Sequence, residues 1–492
     1  MKIFQHTAIL LSLLCISNTA FMQSIEIPYI DKKALEEIVI TLIDEIYDGR
    51  LAGSEGFNKA AEFCAHFFMD HEIGVAEPYE YFQTFNIEYN KIVDPLRFYK
   101  IFGGDTTRFK LGQDFVARGF SGSGTYDSDV VFAGYGISLP EYGYDDYADI
   151  DVNGKVVLIF NGNPHWQLGS NSWPSSSPRY KAQVAYNHGA KGVLLVASQN
   201  DRTAKPFGSV ATGGIQEHLE NVTSLHIAPS VADKLLAVHN TNLERLQYQI
   251  DETRRPHSFR LRPNIFKEVH ALYKPAVETM NIIGLIEGQD EDLKNEYLII
   301  GAHLDHVGRQ GAHLLFPGAN DNASGVAVLL HLAEHLARNR EQLKRSVVFI
   351  LFSGEEHGLL GSGHYVENPA VPIEKTVAMF NLDCIGFGDS IRIGNGKSSP
   401  TLWSLARDID SKTDQRSVAQ TWSGGGADAT PFHQAGIPSL YFVATNSYTH
   451  LHLPTDVAET LDLELMAAFT KLIYATAWKV LTGHYEKEEV LF

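Results

Sequence analysis

Cysteine is nearly absent: three residues in a chain of 492, at positions 15, 64 and 384. That excludes a disulfide framework and a thiolate zinc site of the C-x-x-C kind, so stability has to come from buried apolar cores. Basic charge is also short. Forty Lys and Arg stand against 59 Asp and Glu, a formal net charge of −19, which disfavours nucleic acid and anionic membrane surfaces as partners and suits a chain that holds cations. Past the N-terminus no run of about 18 apolar residues occurs, so no membrane span is expected. There is no G-x-S-x-G elbow for a serine hydrolase, no internal repeat and no low-complexity tract.

What remains is an ordinary globular composition, 44% hydrophobic and 20% charged. The length suits two or three domains, since single cores rarely grow beyond about 250–300 residues. Residues 1–22, within "MKIFQHTAILLSLLCISNTAFMQ", carry one lysine, a short apolar run and small residues near Thr19 and Ala20. They read as a signal peptide, which predicts a secreted or periplasmic protein; the bulky Leu14 before Cys15 argues against a lipid-modified cysteine.

The texture then changes twice. Residues 23–115 open with a helix, a Gly-rich loop "RLAGSEG" and a second helix. Residues 116–264 turn to short β-branched strands, "DVVFAGYGI", "GKVVLIFNG" and "KGVLLVAS", and read as an inserted β-rich module. Residues 265–492 alternate strand and helix. The expected class is α/β, a central mixed, largely parallel sheet flanked by helices.

In that last segment the apolar runs end in polar, metal-type side chains: His303 and Asp305 after "YLIIGA", Glu355 and Glu356 after "VVFILFSG", and Asp383 after "VAMFNL". The carboxyl ends of strands form the ligand crevice of open α/β sheets, so these groups should converge. Asp321 in "PGANDNASG" and His452 in "THLHLPTD" join them. Two histidines and three carboxylates, one bridging, are what a pair of zinc ions about 3.5–4 Å apart requires. Adjacent residues leave a strand end in different directions, so one glutamate of the pair can bind metal while the other serves as general base.

A second zinc-type motif lies close by. "HLAEH", with His331, Glu334 and His335, matches H-x-x-E-H. Val328, Leu329, Leu332 and Leu336 make the apolar stripe of that helix, which predicts a solvent-facing position for the two histidines. His450 could replace His452, although Pro454 and Asp456 favour the latter by fixing its loop.

Together, "GAHLDHVG", "PGANDNASG", "FSGEEHGLLGS", "NLDCIG" and "HLPTD" resemble the co-catalytic zinc aminopeptidases that include bacterial leucyl aminopeptidases and yeast aminopeptidase Y. The middle block resembles their protease-associated (PA) insertion, and "GRLAGSEGFNKAAEF" their N-terminal helix and loop. The resemblance implies a bridging Asp321, one zinc completed by His303 and Asp383, and the other by Glu356 and His452. It implies Glu355 as general base, Asp305 as the group orienting His303, and a strained Asp321–Asn322 peptide bond. Peptides with a free N-terminus are the implied substrates. Two departures stand out: "ADATPF" keeps Asp428 but has Ala429 where a histidine is common, and Leu451 stands where a tyrosine is common. The alternatives on the same fold are a single-zinc glutaminyl cyclase and a non-catalytic, receptor-like binding protein. The oligomeric state is not legible.

Overall fold

The computed structural model describes residues 27–198, 208, 210, 216 and 218–492. The expected signal segment 1–22 lies outside them. Helix α1 (Lys32–Leu42) starts where the Asp31 carboxylate accepts the Lys33 and Ala34 amides, and α2 (Glu55–Asp70) where Ser54 accepts from Phe57. Both are ordinary side-chain N-caps. Their buried stripes, Leu35, Val39 and Leu42 on α1 and Phe57, Ala61, Cys64 and Phe68 on α2, pack into one core. The two described cysteines, Cys64 and Cys384, are buried and free.

One large sheet organises the rest. In chain order its main strands are β1 (Phe82–Phe102), β2 (Phe115–Ala117), β3 (Gly124–Ala133), β4 (Val156–Phe160), β5 (Gly192–Val196), β6 (Thr223–Ile227), β7 (Ser258–Ile286), β8 (Tyr297–His303), β9 (Ser346–Phe352), β10 (Thr376–Leu382), β11 (Ile391–Gly394) and β12 (Ser439–Ala444). Across the sheet they run β11-β12-β10-β8-β9-β7-β3-β4-β5-β6-β2, and β1 pairs with β7.

Two parallel runs, β12-β10-β8-β9 and β3-β4-β5-β6, are joined by β7, antiparallel to both its neighbours. Its first half pairs with β3 and its last residues, Ile282–Ile286, with β9. Every residue of β4, β5, β9, β10 and β12 is buried, as expected of parallel strands covered on both faces.

Helices α3 (Pro178–Asn187), α4 (Ser324–Arg338) and α5 (Leu463–Leu481) lie on the sheet's faces. Packing around β8–β10 forms one core with α1, α2, α4 and α5. A second core surrounds β3–β6, and it also takes Ile92 and Phe98 of β1 and Ile265 and Val269 of β7.

One expectation fails on α4. His331 is buried, not solvent-facing, and only His335 is partly exposed. The cause is tertiary: α1 and α5 pack along α4 and cover the face opposite the sheet. The His331 and His335 rings meet each other, Nε2 to Nε2 at 3.1 Å, away from the strand ends.

Candidate active site

The site is built at the carboxyl ends of β8, β9 and β10. Strand β8 delivers His303, and the chain then turns through Leu304, Asp305 and His306 beneath the fully buried Arg50. Its guanidinium donates to the carbonyls of Leu304 (2.9 Å), Leu42 (2.7 Å), Pro317 (2.8 Å) and Gly318 (2.9 Å). One side chain of the "RLAGSEG" loop therefore ties the turn after β8 to the turn entering α4.

Asp321 lies in that second turn, Ala319–Ala323, and the Asp321–Asn322 peptide is cis. The Asp456 carboxylate accepts the amides of Asn320 (2.8 Å) and Asp321 (3.0 Å), joining this turn to the His452 loop. After β9 the backbone reverses at Gly354, whose φ of +71° a side chain would strain. The Asp305 carboxylate then accepts the amides of Glu355 (3.2 Å) and Glu356 (3.3 Å), which fixes the direction in which each glutamate leaves the chain.

Two groups of ligand-type atoms result, and Asp321 belongs to both. His303 Nε2 is 3.2 Å from Asp321 Oδ1 and 3.4 Å from Asp383 Oδ1. His452 Nε2 is 3.1 Å from Asp321 Oδ2 and 3.0 Å from Glu356 Oε2. Each imidazole is held by its other nitrogen: His303 Nδ1 meets the Asp305 main-chain oxygen at 3.1 Å, and His452 Nδ1 meets the Val210 carbonyl at 2.6 Å. A carbonyl only accepts, so both rings carry their hydrogen on Nδ1 and turn a lone pair on Nε2 toward the carboxylates. Asp305 thus orients His303 through its backbone; its carboxylate lies 3.9 Å from the ring nitrogen and is used on the glutamate amides.

Electrostatics agree with a cation site. Burial works against ionisation of Asp321, yet His303 and His452 hold its carboxyl well below the usual range. Burial likewise opposes the Glu356 charge, but His452, with His306 helping, brings it to about 2 although Asp321 pushes the other way. Burial raises Glu355 well above its ordinary value, with Glu356, Asp428 and Asp383 adding to that and His303 opposing. Asp383 Oδ2 accepts from the Tyr441 hydroxyl at 2.7 Å, while Oδ1 faces His303 without a formed hydrogen bond. Buried carboxylates that face each other and two imidazoles fit divalent metal, because the Arg50 guanidinium, spent on main-chain carbonyls, is a single positive charge against several buried acids.

The pocket brings together all seven residues read from the sequence: His303, Asp305, Asp321, Glu355, Glu356, Asp383 and His452. It leaves out His331 and His335. His450 is excluded too, since its Nδ1 meets Thr455 Oγ1 at 2.9 Å and its ring packs on Phe387. Asp428 is fully buried close to Asp305 and Glu355, where burial lifts its carboxyl to about 7 against the pull of His303.

Sequence reasoning missed Tyr441, Val210 and His306. His306 is wholly buried, and its Nδ1 sits 3.0 Å from Glu356 Oε1 and 3.7 Å from Asp321 Oδ2. The available signal was its place in "HLDH", three residues after His303.

Comparison with known proteins points the same way. The model of "Peptidase family M28" matches residues 281–477, a span that contains all seven, from His303 to His452, together with β8–β12. "Aminopeptidase YwaD" of Bacillus subtilis (strain 168) is 25% identical over 471 residues, covering 92% of this chain and 86% of its own. Among solved structures, the aminopeptidase from Aneurinibacillus sp. strain AM-1 superposes with a TM-score of 0.64 at 22% identity, covering 94% of this chain and 95% of that one. BSAP, a zinc aminopeptidase from Bacillus subtilis, gives 0.63 at 21%, covering 95% and 99%. Residues 281–477, which carry the pocket, match peptidase family M28, and the fold is shared with solved aminopeptidases over nearly the whole length of the chain.

Proposed function

We propose that this chain is a two-metal aminopeptidase that removes residues from the free N-terminus of peptides. The observation that carries the reading is Asp321, whose two carboxylate oxygens face separate histidine–carboxylate groups, a bridging arrangement that a single ion does not need. His303, Asp321 and Asp383 would hold one zinc, and Asp321, Glu356 and His452 the other. When bound, such a pair supplies Lewis acidity and a water acidic enough to attack at neutral pH.

The proton traffic falls to the chain's own groups. Glu355 stands beside both clusters without belonging to either, and burial raises its proton affinity, as a base working near neutral pH requires. It takes the proton of the attacking water and returns it to the nitrogen of the leaving amine. Asp305 holds Glu355 at its amide and His303 at its ring. Relatives named aminopeptidase and zinc aminopeptidase support the substrate class and the metal.

The test is cleavage of matched peptides with free and acetylated N-termini, with metal content measured in parallel. Release of the first residue from the free peptide alone is expected. Release from the carboxyl end would overturn the reading, and cyclisation of an N-terminal glutamine by a one-zinc protein would favour a glutaminyl cyclase.

Two further readings go with it. Residues 1–22 direct export, to be checked by sequencing the N-terminus of the mature protein. Residues 116–264 form an inserted unit that shapes access; among the described residues, the Val210 carbonyl on His452 is where it reaches the pocket. Activity that falls steeply with peptide length is expected, and a flat dependence would remove the access role.

A further inference from the structure

His306 is a buried polar side chain that touches the proposed metal ligands and that the reading above leaves without a task. Its ring is held from several sides. The backbone amide donates to the Arg50 carbonyl at 3.0 Å, the ring stands edge-on to His452 with centroids 5.5 Å apart, and Gly318 closes over it so tightly that an added Cβ would fall 2.6 Å from its Cδ2. The ring therefore cannot choose its target.

That target is one oxygen of Glu356. Oε2 faces His452 Nε2 at 3.0 Å, on the side shared with Asp321, while Oε1 faces His306 Nδ1, also at 3.0 Å. The carboxylate is divided, one oxygen toward the second metal position and one toward His306. We propose that His306 is a positioning residue whose Nδ1–H holds Glu356 Oε1 back, so that Glu356 meets the second ion through Oε2 alone and a coordination position stays open for water. This inference rests on the two-metal reading.

The competing role is direct ligation through Nδ1, since His306, Asp321 and Glu356 atoms also lie close enough together to hold an ion. Two observations decide between them. His452 Nε2 is nearly equidistant from Asp321 and Glu356, whereas His306 Nδ1 is 0.7 Å farther from Asp321 than from Glu356 (3.7 against 3.0 Å). Moreover, a ligating Nδ1 would force the hydrogen onto Nε2, which is buried with no acceptor; a buried donor without a partner is the rarer and costlier defect. As a donor, His306 leaves only a lone pair unmet.

The experiment compares His306→Asn, whose amide nitrogen can stand where Nδ1 stands, with His306→Leu, measuring zinc content and affinity by chelator competition on the full chain. His306→Leu is expected to weaken the second zinc by about 10–100-fold, the usual cost of losing a partner that orients a ligand, and to leave the first unchanged. His306→Asn is expected to stay within a few-fold of wild type. If His306→Asn loses the second ion as readily as His306→Leu, or if neither variant changes its affinity, the proposal is wrong. Should His306→Leu fail to fold, the asparagine variant still decides, because an amide nitrogen can donate to Glu356 but cannot ligate zinc. A wild-type chain holding one zinc would instead sink the two-metal reading itself, a result visible before any variant is made.

Discussion

Two regions of this molecule bury charge, and they do so in opposite ways. Around β3–β5, Lys181 is fully buried, with its Nζ donating to the carbonyls of Tyr135 (2.6 Å), Phe160 (3.2 Å) and Gly162. Asp146 is buried beside it, accepting from the Ile137 amide at 3.0 Å and the Tyr144 hydroxyl at 3.2 Å. These charges are spent on the backbone and on a neighbouring hydroxyl. At the ends of β8–β10 the buried carboxylates and imidazoles face each other instead. Burial and shifted pKa values occur in both regions, with Asp146 raised to about 7 by burial, so neither property marks a site. What marks it is a set of buried carboxylates and imidazoles whose ligand-type atoms converge on one another.

Breaking the pocket should cost chemistry and leave the fold alone. The largest effect is expected from Glu355→Gln, with turnover falling by about 10²–10⁴-fold, as for a positioned general base, while both zincs stay bound. Loss of metal together with rate would move Glu355 into the ligand set. Glu356→Gln should come next, with zinc and turnover falling together, because an amide is a much poorer zinc ligand than a carboxylate.

Breaking the other region should cost stability and leave chemistry alone. Lys181→Met strands the carbonyls of Tyr135, Phe160 and Gly162 and should destabilise by roughly 1–3 kcal/mol. Turnover per folded molecule should not change, and a changed rate would mean that the two regions are coupled.

The smallest effect concerns acid. Burial, with Arg118 adding, lowers His226 on β6 to about 3. The folded state keeps this ring neutral down to that pH, while the unfolded chain protonates it below about 6.5. Its stabilising contribution is therefore complete above about 6.5 and is lost as the pH falls toward 3. His226→Asn should shrink the drop in melting temperature between pH 7.5 and pH 5 by roughly 2–4 °C. An unchanged drop would show that this ring is not what senses the acid.

The same contrast explains what could be read from the sequence. Strands β9 and β10 are buried throughout, and β8 is buried from Leu298 onward, so they appear as apolar runs, and the polar residues that stop those runs are the site. Strands β1 and β7 are long and half-exposed, with charged residues such as Arg97, Lys100, Glu268 and Lys274 along them. They produce no such run, and β7 even spans position 264, where the texture changes. His331 misleads because its cover comes from α1 and α5, which are distant in sequence. Tyr441 acts by touching a ligand from within a strand, so nothing in its local pattern separates it from ordinary core residues, and His306 had only its place in "HLDH" to mark it. Asp305 was legible as a residue, but not the fact that it reaches His303 through its backbone.

The central claim is that Asp321 is shared and Asp383 is not. Elemental analysis of wild type, Asp383→Ala and Asp321→Ala after identical dialysis tests it directly. The account predicts two zincs per chain, then one, then close to none. A wild-type chain with a single zinc, or an Asp321→Ala chain that keeps one ion as firmly as Asp383→Ala does, would contradict it.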